Sequence, residues 1–142
     1  MTKTDWDKTK DLLARPWPYN RATLLADGYE VTLVLQIVSK DLMHNGIVVY
    51  IGDKFEGRWL VEDCEERRRF IPQKTVPVMT RAQITRYNKL PKAMQREFME
   101  YRNRTVTQYA THWTSWPALV KHFEAHNKDI RLKEGSENGV AD

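Results

Sequence analysis

Chemistry-bearing side chains are concentrated in one short segment, "EDCEERRRFIP", residues 62–72. It holds four carboxylates, three consecutive arginines and the only cysteine of the chain. A cysteine can act as a nucleophile, clustered carboxylates can hold magnesium, and arginines bind phosphate or carboxylate groups. The segment therefore allows catalytic, metal-binding and anion-binding interpretations.

Cys64 is a poor candidate for nucleophilic catalysis. A reactive thiolate needs positive neighbours, whereas the residues adjacent to Cys64 are Asp63 and Glu65. Ser115 and His112 lie close together in sequence, but no G-x-S-x-G motif accompanies them. We predict no catalytic residues and favour a protein that is not an enzyme.

Metal sites are weakly indicated. His122 and His126 have the i, i+4 spacing of a helical metal site, but the motif is H-x-E-x-H, and the H-E-x-x-H arrangement of zinc proteases is absent. We predict no metal ligands and no cofactor. A nuclease that holds magnesium through the carboxylates of residues 62–66 remains a less favoured alternative.

Positive charge is confined to one region. Residues 1–66 have a net charge of −4, residues 67–104 carry 11 Lys/Arg against two Asp/Glu, and residues 105–142 have a net charge of −1. Clustered Lys and Arg indicate a binding surface for phosphate groups. The residues predicted to bind nucleic acid or another partner are Arg67, Arg69, Lys74, Arg81, Arg86, Lys89, Lys92, Arg96, Arg102 and Arg104.

The three arginines are predicted to lie in a strand, in which alternate side chains face opposite sides. If Phe70 is in the core, Arg68 also faces inward and needs a carboxylate partner. We therefore predict that Asp63, Glu65 and Arg68 form structural ion pairs, and that Arg67 and Arg69 face a partner.

Two segments, "GRWLVEDCEERRRFIP" and "HWTSWPALVKHFEAHNKDIRL", resemble a group of small, uncharacterised proteins of tailed phages and prophages. The shared patterns are a W-L-x-x-D-C-E-x-R-R-R-F core and a late W-x-S-W-x-x-L-x-K-H segment. The resemblance implies a phage or prophage origin. It also implies that Trp59, the acidic residues beside Cys64 and the three arginines belong to one unit.

These observations favour a non-enzymatic, phage-type accessory protein that binds nucleic acid through residues 67–104. The alternative is a protein-binding inhibitor of a host defence system, of the anti-CRISPR or anti-restriction type. One cysteine suits a reducing compartment, and no apolar run is long enough to span a membrane. We expect a protein of the host cytoplasm that binds nucleic acid or a host protein complex and no membrane.

The fold class predicted is α+β, with an antiparallel four- to five-stranded meander packed against C-terminal helices and a short N-terminal helix. Alternation in "YEVTLVLQIVSK" predicts a strand, with "RATLLA" as its hairpin partner or as a helix. Further strands are predicted in "GIVVYIG", in a hairpin over "GDKFEGRWLVED", in "RRRFI" and at the edge in "DIRL".

Helices are predicted at residues 4–15, capped by Thr4, and at residues 80–89, capped by Thr80 and Gln83. One long helix is predicted over residues 90–110 and another over 114–127. The domain spans 1–134, and residues 135–142 form a disordered tail.

Overall fold

The computed structural model describes residues 1–39 and 44–133, which form two compact units. The first unit contains Met1–Pro72 and the chain from Ala110 on, and the second is Gln73–Tyr109. Antiparallel strands and separate helices confirm the α+β class. The predicted tail at 135–142 lies outside the described residues. Within them, no helix is both long and apolar enough to cross a bilayer.

A five-stranded antiparallel sheet forms the centre of the first unit. Strands β1 (Arg21–Ala26), β2 (Tyr29–Ser39) and β3 (His44–Ile51) form the predicted meander. The edges are β6 (His112–Trp113) and β7 (Ile130–Leu132), giving the order β6-β3-β2-β1-β7. The number of strands agrees with the prediction, and the edge strand predicted in "DIRL" is confirmed as β7, whereas β6 was not predicted.

The β1–β2 hairpin follows directly from its turn residues. Asp27 and Gly28 have φ values of 47° and 91°, the left-handed pair that a two-residue hairpin requires. This confirms "RATLLA" as a strand and excludes the helical alternative. Val31 and Leu33 in β2 are fully buried, as the alternation predicts, and Leu24 opposite Val31 is buried too.

Two longer helices belong to this unit. Helix α1 (Lys3–Leu13) begins at Thr2, which forms a capping box with Asp5 in place of the predicted Thr4 cap. Helix α6 (Trp116–His126) begins at Ser115, one of the two predicted caps. Both helices contribute buried side chains to the main hydrophobic cluster of the unit, together with the inner faces of the sheet strands.

The predicted strand "RRRFI" is wrong, because this segment forms helix α2 (Glu65–Phe70). Its charges are ordered as a helix favours, with acids in the first turn and arginines in the last. Glu65 and Arg69 also form an i, i+4 ion pair. Ile71, which precedes Pro72, is extended and ends the helix, as residues before proline commonly do.

The predicted hairpin over "GDKFEGRWLVED" is also wrong. After β3 the chain makes a single bridge between Ile51 and Lys54 and then a short 3-10 helix, Gly57–Leu60. Trp59 in this helix is buried, with its ring 5.3 Å from that of Phe55 in an edge-on contact. Burial of the indole draws the chain away from the extended path that a second hairpin strand needs.

The second unit is a two-stranded hairpin that encloses three short helices. Strands β4 (Gln73–Pro77) and β5 (Thr105–Tyr109) pair along their whole lengths. Between them lie α3 (Arg81–Asn88), α4 (Lys92–Glu97) and α5 (Met99–Asn103).

The predicted long helix over residues 90–110 is therefore wrong at its C-terminal end. Helices α4 and α5 meet at Phe98, and Arg104 is extended. The run Thr105–Thr107 is β-branched, which disfavours helix and suits a strand, and it pairs with β4.

Candidate nucleic-acid interface

The structure divides the predicted binding residues between the two units. Arg67 and Arg69 lie on α2 in the first unit. The other eight lie in the second unit, on α3, α4, α5, β4 and the adjoining turns: Lys74, Arg81, Arg86, Lys89, Lys92, Arg96, Arg102 and Arg104.

Arg69 is less exposed than Arg68, which also has a carboxylate partner. Its guanidinium lies 2.6 Å from the Asp27 carboxylate and 2.7 Å from that of Glu65, and it donates to the Asn127 amide oxygen at 3.1 Å. It also lies over the Tyr29 ring, 5.5 Å from its centroid. Arg69 is thus engaged inside the first unit, contrary to the prediction that it faces a partner.

Arg68 is the exposed member of the group, with 64% of its side chain accessible. It forms a bidentate pair with Asp63, with bonds of 2.9 and 2.7 Å. The prediction that Arg68 points inward is wrong because it assumed the alternation of a strand. On a helix, Arg69 lies four residues after Glu65 and takes the inward position. Arg67 is half-buried.

Asp27 was not recognised from the sequence as a site residue, yet it joins three parts of the first unit. Its carboxylate accepts the backbone N–H groups of Lys128 and Asp129 at 2.9 and 2.8 Å, besides the Arg69 guanidinium. These two N–H groups first, and Arg69 next, lower the pKa of Asp27 to about 2. The Asp-Gly turn was visible in the sequence, but partners about a hundred residues away were not.

His122 and His126 stack with ring centroids 4.2 Å apart. His122 Nε2 lies 2.9 Å from the Arg68 carbonyl oxygen, and this nitrogen must carry the proton because a carbonyl only accepts. Burial, and then the neighbouring His126, lower the pKa of His122. No cluster of three or more metal-binding side chains occurs in residues 1–39 and 44–133. His122 thus links α6 to α2.

Local hydrogen bonds shape the helical part of the second unit. Thr80 and Gln83 form the predicted capping box, which is confirmed at the start of α3. Gln95 donates to the carbonyls of Leu90 and Asn88, at 2.9 and 3.2 Å. The Tyr87 hydroxyl donates to the Gln95 carbonyl. Gln95 thus fixes the turn between α3 and α4.

An apolar groove of about 220 Å³ opens among these helices. Its lining is Met79, Gln83, Arg86, Tyr87, Leu90, Phe98 and Tyr101. Phe98 and Tyr101 are 46% and 41% exposed. In a continuous helix over residues 90–110, both rings would lie on one stripe with Met94. The break between the two helices at Phe98 is not marked in the sequence by glycine or proline.

The second unit carries eight Lys/Arg against two Asp/Glu, a net charge of +6 in 37 residues. In the described part of the chain, none of these eight side chains lies within 4.0 Å of a carboxylate. Arg104 instead lies over the Tyr101 ring, 5.8 Å from its centroid.

Comparison with protein-family models, curated proteins and solved structures gives no significant match.

Proposed function

We propose that this protein binds nucleic acid through its second unit, Gln73–Tyr109, as a non-enzymatic accessory protein of phage type acting in the cytoplasm. One observation carries the proposal. Eight basic side chains occupy this unit, and none has a carboxylate partner among the described residues.

The contrast with the first unit supports a role for this charge. There, exposed Arg58, Arg68 and Arg131 each have a carboxylate within 3.2 Å, whereas exposed Arg15 and Arg21 contact the Tyr19 ring and the Pro18 carbonyl. Unpaired cations close together repel one another, and this repulsion is relieved when a polyanion replaces small counterions.

The proposed interface is narrower than residues 67–104. Arg69 is engaged by Asp27 and Glu65, and Arg68 by Asp63. The interface therefore consists of the basic side chains from Lys74 to Arg104. Because two of the carboxylates near Cys64 hold arginines, a metal-dependent nuclease centred on them is less favoured.

Charge reversal tests the proposal. We expect Arg81→Glu combined with Lys92→Glu to weaken binding of a fluorescently labelled strand by at least about tenfold at low salt, because phosphate contacts dominate affinity. Fluorescence anisotropy measures this directly. The matched control is Lys54→Glu with Lys121→Glu, two exposed lysines of the first unit that give the same change in net charge. Equal losses in both double variants, or no binding by the wild-type protein, would contradict the proposal.

A second candidate is a protein-binding inhibitor of a host defence system, of anti-CRISPR or anti-restriction type. Exposed apolar side chains in the second unit favour it, since such patches commonly mark protein contacts. They include Val78, Met94, Met99 and Val106, each between 41% and 48% exposed. This candidate predicts a defined complex with a nuclease or effector that forms equally well after nucleic acid has been digested away.

A further inference from the structure

The groove of the second unit combines aromatic faces with positive charge. Phe98 and Tyr101 are three residues apart, so both lie on one side of the α4–α5 segment. Arg86 also lines the groove, and Arg104 lies over the Tyr101 ring. Gln83 adds an amide, although its carbonyl oxygen already accepts the Thr80 N–H.

The second unit covers these rings only in part, leaving Phe98 and Tyr101 46% and 41% exposed. Only two of its hydrophobic side chains, Met79 and Tyr87, are buried, and each keeps 9% of its surface exposed. Leaving several aromatic and aliphatic side chains in water is unfavourable in proportion to their area. A ligand in the groove would remove this apolar surface from water.

The surrounding charge selects the class of ligand. The net charge of +6 on the unit favours an anionic occupant. The occupant must also present flat apolar groups to Phe98 and Tyr101. An unpaired strand offers both, whereas a duplex offers phosphates but keeps its bases stacked on one another.

We propose that the groove stacks an unpaired base of a single-stranded nucleic acid on Phe98 or Tyr101, while the basic side chains hold the neighbouring phosphates. The protein thereby prefers single strands to duplexes. This inference rests on the proposed function, because it assigns a preferred form of the same ligand.

The test compares one labelled DNA strand of about 16 nucleotides, free and annealed to its complement. Wild-type protein should bind the free strand more tightly. Phe98→Leu and Tyr101→Leu keep an apolar side chain but remove the flat face. At least one of the two should weaken binding of the free strand by about 5-fold to 100-fold, the range of stacking on one ring, and both should leave duplex binding unchanged.

Two controls separate stacking from folding. Met99→Leu changes an equally exposed apolar residue outside the groove lining and should leave binding unchanged. Phe98→Tyr keeps the flat ring and should retain affinity for the free strand.

Failure of this inference is distinct from failure of the proposed function. Equal binding of both DNA forms, with no effect of either Phe98→Leu or Tyr101→Leu, would overturn the stacking site and leave nucleic-acid binding intact. Absence of binding to either form would overturn both. An acidic peptide that contains leucine and methionine serves as a competitor. If it displaces the labelled strand at a lower concentration than unlabelled single-stranded DNA does, the groove is a protein-binding site and the inference is overturned.

Discussion

At the scale of single residues, Asp27 shows how one carboxylate can organise distant parts of a chain. It occupies a left-handed turn position, accepts two backbone N–H groups and binds Arg69. The local sequence explains the turn, because aspartate tolerates positive φ next to glycine. It does not explain the other contacts, which depend on where α2 and the α6–β7 connection lie.

The lowered pKa of Asp27 predicts a pH-dependent contribution to stability. A carboxyl group with a folded-state pKa of about 2 and an unfolded value of 3.8 stabilises the fold above pH 3.8. That contribution is lost as the pH falls from 3.8 towards 2. We expect Asp27→Asn to be less stable than the wild type near pH 6, and the difference to shrink below pH 3 in urea unfolding.

Asp53→Asn is the matched control, because Asp53 also has a positive φ, of 64°, and lies exposed in a tight turn. It should leave the free energy of unfolding nearly unchanged. A stability difference between wild type and Asp27→Asn that stayed constant from pH 6 to 2 would show that the loss comes from packing, with no part played by the charge.

At the scale of elements, α2 connects the chemistry-rich segment to the core. Phe70 at its end is fully buried and packs edge-on against Tyr29 and Phe123, at 5.6 and 5.4 Å between ring centroids. The Trp113 indole donates to the Phe70 carbonyl at 3.0 Å. Helix α2 is therefore held by one buried ring and by the polar contacts of Arg69.

Truncation of that ring measures how strongly α2 is held. We expect Phe70→Ala to lower the free energy of unfolding by about 3–5 kcal/mol, because it removes a fully buried ring and leaves a cavity. Chemical denaturation gives the value. Val61→Ala, at a site 78% exposed, should change it by less than about 0.5 kcal/mol. A similar small loss for Phe70→Ala would contradict the assignment of this ring to the core.

The elements that could be predicted from sequence are those with enough length or a defined cap. Strand β2 has eleven residues with an apolar side chain at every second position from Val31 to Ile37, and α3 begins with a capping box. Helix α2 has only six residues, too few for its period to differ clearly from that of a strand, although its order of charges favoured a helix.

The candidate site was predicted only in part, for a related reason. Its basic residues were predicted from the excess of Lys and Arg in residues 67–104. The aromatic groove was not, because Met94, Phe98 and Tyr101 fit the stripe of a continuous helix equally well. The end of α5 before β5 accompanies pairing of β5 with β4, a contact across about 30 residues that periodicity does not report.

At the scale of the whole molecule, charge follows the division into two units. The first unit carries 15 Lys/Arg against 17 Asp/Glu, a net charge of −2, and the second has a net charge of +6. A unit of 37 residues with two buried hydrophobic side chains has little core of its own. Both facts agree with a second unit whose surface is completed by an anionic partner.

The salt dependence of binding tests the central claim most directly, because it counts the phosphate contacts made by the second unit. For a single strand, the logarithm of the association constant should fall against the logarithm of salt concentration with a slope of about −2.8 or steeper, as four or more contacts require. Lys92→Gln with Arg96→Gln should make this slope shallower by about 1.4. A slope near zero, or one that these substitutions leave unchanged, would contradict binding through the basic side chains of Gln73–Tyr109.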